Sequence, residues 1–202
     1  MNKSIVYLIC LMVLLFVSVT GCGPQDETRT LPYTRYVESY DGARVPVPDH
    51  PKRILALSSA SDTILLGLVE PDRLVGINTL STYEEYSLEA KRAKLVKPAM
   101  SSYPLEKIIA LEPDLVIAPD YTSADVIAGL RHMGIPTVVV PTGTTVESVI
   151  KNVTDIAHIV GEDEKGQFYE QKIRRELEKM KRLGTSIPLN QRKSVLFVSS
   201  MD

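Results

Sequence analysis

Three hydroxyls crowd one short stretch of the chain, Ser58, Ser59 and Ser61 in "LALSSASD". A serine just ahead of an apolar-periodic segment can cap a helix with its side-chain oxygen. The same hydroxyls can face a ligand, so Ser59 and Ser61 stand as ligand-binding candidates and one serine of the group is expected to cap. Tyr83, Tyr103 and Tyr121 fall in three separate segments between apolar runs. Aromatic side chains on such segments offer large contact area with a polar tip, which suits the flank of a bulky ligand. Glu106 lies in the first turn of a candidate helix, where the helix dipole favours a carboxylate. His50, His132 and His158 have no metal-ligand spacing with one another or with a cysteine, so neither a metal site nor a resident cofactor is expected. There is no G-x-S-x-G, P-loop, G-x-G-x-x-G or H-E-x-x-H, so no catalytic residue and no enzyme activity are expected. The net charge of −2 argues against the basic face that a nucleic-acid partner requires.

The N-terminus carries a different chemistry. Lys3 gives a positive start, and the 15 residues Ile5–Val19 are almost wholly apolar. That length fits a secretory h-region and is short for a membrane span of about 20 residues. The run ends in Val19-Thr20-Gly21-Cys22, which resembles the bacterial lipobox, in which the cysteine is acylated and becomes the mature N-terminus. Residues 1–21 are thus expected to be a lipoprotein signal peptide and Cys22 the lipidation site. Of the two cysteines, Cys10 would leave with the signal, so no disulfide is expected. Residues 22–32 are polar and aperiodic and read as a tether. The expected location is the extracytoplasmic face of the cell membrane, held there by lipid. A lipid-anchored hydrolase and a structural lipoprotein without ligand are the alternative classes.

Elements must position these groups. Tyr33–Val47 reads as a hairpin about Asp41-Gly42, a dipeptide suited to a tight turn. From Lys52 a rhythm begins: a run at 53–58, a helix over 59–68, a run at 74–77, a helix near 84–91 and a weaker strand at 94–96. Pro104 is expected at the first position of the next helix, with Leu105, Ile108 and Ile109 inward and Glu106 toward solvent. A strand at 114–119, a helix over 122–133 with Gly134 just past its end, and a strand at 137–141 follow. Short apolar strands alternating with helices imply an α/β fold with a doubly wound parallel sheet. Ligands of such sheets bind outside the carboxyl ends of the strands, where the serines and tyrosines above fall. Two helices come next. The first has Val146, Val149, Ile150, Val153, Ala157 and Val160 on one face. The second, over 163–183, carries a narrow stripe of Tyr169, Ile173, Leu177 and Met180 and reads as a strut across a surface. A buried strand is expected at 194–200.

The blocks "DGARVPVPDHPKRILALSSASDTILLGL", "DRLVGI", "PLEKIIALEPDLVIAP" and "LRHMGIPTVVVP" resemble, in order, those of ABC-transporter substrate-binding proteins of the siderophore, haem and cobalamin type. The resemblance runs from about Asp41 to Asp202. It implies two Rossmann-like α/β lobes joined by one long rigid helix, with the ligand held in the cleft between them. It implies a lobe over 33–160, an interlobe helix over 161–187, and, at 188–202, the start of a second lobe whose first strand matches "KSVLFVSS". A full second lobe needs on the order of 100 more residues, so a form truncated in that lobe is expected. The resemblance further implies that Glu106, in "LEKI", docks on an ABC permease, with its ATPase behind it. The ligand it implies is a metal chelate, a ferric siderophore first and cobalamin next.

Overall fold

The computed structural model describes residues 35–196, and these lie within one compact unit. The first described element is an antiparallel hairpin, β1 (Arg35–Glu38) against β2 (Arg44–Val47), with Val37 opposite Val45. Val37, Val45 and Val47 are buried while their neighbours face out, the alternation of a half-covered ribbon. Gly42 takes a φ of +82° at the turn, a left-handed conformation that glycine reaches without a Cβ penalty.

The centre is parallel. β3 (Ile54–Ala56), β6 (Leu115–Pro119) and β7 (Thr137–Val140) form a sheet in the order β3–β6–β7. β4 (Ile77–Asn78) pairs in parallel with β5 (Ala99–Met100). A parallel bridge between Ile54 and Leu74, with Val75 N–H donating to the Ile54 carbonyl at 3.0 Å, sets this pair beside β3. The strands therefore read β5–β4–β3–β6–β7, and the order reverses between β3 and β6.

Alternate residues of the strands feed two cores, as their period of two requires. Ile54, Ala56, Leu115, Ile117, Val138 and Val140 pack on one face. There they meet α1 (Ser59–Leu68) through Leu65, Leu66 and Leu68, and α5 (Val146–Ile159) through Ile156 and Ala157. Leu55, Val116 and Ala118 turn to the other face, against Ile108 of α3 (Leu105–Ala110) and Leu130 of α4 (Ala124–His132). Both faces of the sheet are covered, which is the doubly wound α/β arrangement that the rhythm predicts.

Some elements differ from expectation. Residues 94–96 are not a strand. They close the short helix α2 (Ala90–Ala93), with Lys94 N–H bonded to Ala90 O and Val96 N–H to Ala93 O, and the strand comes later as β5. Leu95 is 72% exposed, so the run has one buried apolar residue and nothing to pair in a sheet interior. The helix expected near 84–91 is reduced to α2. Ser87 turns its hydroxyl to the Glu89 N–H, a local bond that competes with helix continuation. Pro104 caps α3 from outside rather than opening it.

Helix α5 starts at a reciprocal Thr145–Ser148 capping box and ends at Gly161, whose φ is +75°. α6 (Asp163–Ser186) then runs 24 residues. It lies so close to α5 that a Cβ on Gly166 would sit 2.5 Å from the Ala157 Cβ. Tyr169 packs on the core, while Met180 and Leu183 are exposed. Of the strand expected at 194–200, Ser194–Leu196 are exposed and without regular structure. The remaining residues, 197–200, lie outside the described residues, as do the signal, the tether and Cys22. Among the described residues no helix is long and apolar enough to cross a membrane.

Candidate functional site

The reversal of strand order between β3 and β6 leaves a crevice at the strands' carboxyl ends, the usual ligand position of open α/β sheets. Five loops reach that edge, and they carry the serines and tyrosines singled out above.

After β3, Ser58 caps α1, its oxygen accepting from Ser61 N–H at 3.2 Å while its hydroxyl donates to Ser61 Oγ at 3.0 Å. Ser58 and Ser61 are both buried, so these two hydroxyls are spent on each other and on the helix start. Ser59, in the first turn, is half-buried.

After β4, residues Thr79–Thr82 form one 3₁₀ turn. Asn78 starts it by accepting from Leu80 N–H at 2.9 Å. Tyr83 ends it, 48% exposed, with its ring edge-to-face to Tyr86 at 6.4 Å between centroids. Tyr86 itself is exposed. Sequence reasoning passed it over, although "YEEY" sets the two rings on one turn.

After β5 comes Tyr103, half-buried, with its hydroxyl enclosed and lacking a hydrogen bond. Burial pushes that hydroxyl far above its ordinary pKa, and Asp62 and Tyr121 push the same way. Tyr121 follows β6 and is 72% exposed. Beside it, the Asp120 carboxylate accepts from Thr142 N–H at 3.0 Å and Thr142 Oγ1 at 2.6 Å. These bonds join the loops after β6 and β7 and hold Asp120 below the usual carboxylate range. Glu106 is exposed in the first turn of α3, on the rim of the same edge because α3 begins where β5 ends.

Asp62 was not legible as a site residue by motif. It is fully buried in the first turn of α1. Its Oδ2 accepts from Asn78 N–H at 2.7 Å and Ser81 Oγ at 2.9 Å, while Oδ1 has no partner. Desolvation lifts its pKa from 3.8 to about 7, against the pull of Asn78 and Ser81. One signal was available: Asp62 stands three and four residues before Leu65 and Leu66, on the inward stripe of the helix. The histidines do not converge here. His158 pairs with Asp163 at 2.8 Å, and among the described residues no group of three His, Cys, Asp or Glu could hold a metal ion.

A profile of the periplasmic binding protein family matches residues 54–202. The chain is 28% identical over 203 aligned positions to an uncharacterized ABC transporter substrate-binding lipoprotein, YvrC, of Bacillus subtilis, covering 95% of this chain and 62% of that protein. It is 31% identical over 134 residues to a vitamin B12-binding protein of Vibrio campbellii, covering 64% of this chain and 46% of the other. A periplasmic solute binding protein from Veillonella parvula, 21% identical, shares the fold with a TM-score of 0.64 over 77% of this chain and 50% of that one. The chain thus spans between 46% and 62% of the length of these relatives. Residues 54–202 make up most of the sequence, and the chain belongs to the periplasmic binding protein family.

Proposed function

We propose that the chain is the ligand-capturing part of an extracytoplasmic substrate-binding lipoprotein that serves an ABC importer. The observation that carries this reading is the carboxyl edge of the sheet, where half-buried Ser59 and exposed Tyr83, Tyr86 and Tyr121 lie in the loops that follow β3, β4 and β6, on both sides of the switch point. Family membership supports it, as do the names of the relatives. In this reading residues 33–160 form the first lobe, 161–187 the interlobe helix and 188–202 the approach to a second lobe. Cys22 carries lipid, and Glu106 meets a basic pocket of the permease.

The ligand is a bulky metal chelate, a ferric siderophore or cobalamin. Aromatic rings cover a wide apolar or planar face at low entropic cost, since a tyrosine has few rotors to freeze. Asp120 stands on this edge, but its carboxylate is occupied by Thr142.

Titration of the full chain with ferrichrome, ferrioxamine and cyanocobalamin, followed by tyrosine fluorescence, tests the ligand class. One chelate should bind. Tyr83→Ala and Tyr121→Ala should each weaken it about three- to tenfold, on the usual worth of an aromatic contact. Binding of sugars or amino acids with none of the chelates would sink the reading. For the anchor, mass spectrometry should find the mature N-terminus acylated at Cys22 and the Cys22→Ala protein unprocessed or released, since stable attachment needs more than one acyl chain.

A further inference from the structure

Asp62 stands out among the buried groups of the molecule. It sits on α1, yet its bonds go to another loop: Oδ2 holds Asn78 N–H at 2.7 Å and Ser81 Oγ at 2.9 Å, the start and the middle of the turn that delivers Tyr83. A helix residue thereby fixes the aromatic wall of the crevice. Oδ1 is enclosed and unpartnered, and so is the Tyr103 hydroxyl that faces Asp62 from the β5–α3 loop. The Asn78 side chain adjoins this hydroxyl without a hydrogen bond of normal geometry.

We propose that Asp62 is the positioning residue of the crevice, a proton-dependent clamp that holds the Asn78–Tyr83 turn closed when its carboxyl is neutral and loosens it when the carboxyl ionises. The proposal rests on the ligand reading above for its functional consequence, and on the two bonds to Oδ2 and the enclosed, unpartnered Oδ1 for the clamp.

The physical reason is the division of labour between the two oxygens. In the neutral acid, Oδ2 accepts both bonds and Oδ1 carries the proton, so no charge is buried. On ionisation Oδ1 bears charge where no donor reaches it, and an unpaired buried charge is costly. Two remedies exist: the Tyr103 hydroxyl turns to donate to Oδ1, or the turn opens and water solvates it. The elevated pKa of Asp62, near 7 with burial as its first cause, agrees with this cost.

The electrostatic surroundings are simple. Among the elements against α1, β3 (Ile54–Ala56), β4 (Ile77–Asn78) and the Thr79–Thr82 turn carry no titratable side chain. Helix α5 offers Glu147, Lys151, Asp155 and His158, and none contributes to the shift of Asp62. Lys165 and Arg92 bond carbonyls at the opposite end of α1, those of Leu68 and Val69. Tyr103 is the titratable group that faces Asp62, with Tyr121 acting on Tyr103.

Hydrogen exchange at the Asn78 amide reads the clamp directly, because that N–H is a bond donor to Asp62. In the wild-type chain its protection factor, taken relative to Val116 in β6, should fall at least about tenfold between pH 5 and pH 7, since a closed-state pKa near 7 against an open-state value near 4 makes closure proton-linked over that window. In Asp62→Asn, which keeps an acceptor but cannot ionise, the profile should be flat. Ser81→Ala should lower protection while keeping the pH dependence. Tyr103→Phe should steepen the loss above pH 6 by removing the hydroxyl that can answer Oδ1. Affinity for whichever of cyanocobalamin, ferrichrome and ferrioxamine binds should follow the same pH profile in the wild type and lose it in Asp62→Asn. If wild type and Asp62→Asn give the same pH profile at Asn78, the clamp is refuted. If no chelate binds at any pH, the ligand reading fails, and the exchange profile still decides the clamp.

Discussion

At the scale of single residues, two glycines share a backbone conformation and differ in surroundings. Gly42 and Gly161 have φ of +82° and +75°. A Cβ on Gly42 meets nothing within 4 Å, whereas one on Gly161 collides with the Asp49 carbonyl oxygen. Gly42→Ala should therefore cost about 1 kcal/mol, the left-handed penalty alone. Gly161→Ala adds a backbone clash that no side chain can relieve, and should cost on the order of 3 kcal/mol. Urea denaturation midpoints of the two variants check this, and equal losses would show that the Asp49–Gly161 contact yields. At this scale the sequence marks which residues need freedom, since Asp41-Gly42 reads as a turn and Gly161 directly follows Val160, the last residue of a periodic apolar face. It does not reveal that Asp49 lies against Gly161, because they are more than a hundred positions apart and meet only in the folded chain. Asp62 follows the same rule. Its place on an apolar stripe is written in "SDTILLGL", but its acceptors' partners, Asn78 and Ser81, belong to a turn no local pattern assigns to it.

At the scale of elements, the contact between α5 and α6 turns on one pair of small residues. Gly166 is buried, and a Cβ there would stand 2.5 Å from the Ala157 Cβ. Gly166→Ala should push the start of α6 off α5 at a cost of about 1–3 kcal/mol, the usual range for overpacking, even though alanine favours helix. The double variant Gly166→Ala, Ala157→Gly restores the gap and should recover part of that loss, a non-additivity that identifies the clash as the cause. Thermal unfolding of the four proteins measures it, and simple additivity would contradict it. Most elements were readable in advance for a physical reason: buried strands such as "LVIAP" and amphipathic helices such as Val146–Ile159 carry their own periodicity. The stretch from Tyr83 to Met100 was not. Its exposed tyrosines and glutamates show no stripe, and Ser87 diverts a backbone N–H to its own side chain.

At the scale of the whole molecule, opposing carboxylates shape stability against pH. Asp62 rises from 3.8 to about 7 on folding, so between those values the folded protein holds a proton the unfolded chain has released. Stability then falls as pH rises from about 4 to 7, by up to about 4 kcal/mol, and levels off above. Asp41 behaves in the opposite sense. Its bond to Arg131 holds it at about 2, so its contribution is present above about pH 4 and is lost as pH falls toward 2. Glu162 acts with Asp41: partial burial raises it, but Lys165 and Arg73 outweigh that and hold it low. Stability should peak near pH 4–5, and Asp62→Asn should flatten the decline toward pH 7. Denaturant midpoints from pH 3 to 8 check both, and a wild-type profile that climbs from pH 4 to 7 would contradict the assignment. By itself the sequence determined the class of fold, the order of strands and helices along the chain, and the tyrosines and serines that fall at strand ends, because each follows from local periodicity and turn chemistry. Only the tertiary structure decided that β6 returns to the far side of β3, that Ser58 and Ser61 bond each other while Tyr83 and Tyr121 stay open, and that Asp62 holds the loop beside them. Those outcomes depend on which distant segments share a buried surface, and burial is a property of the assembled chain.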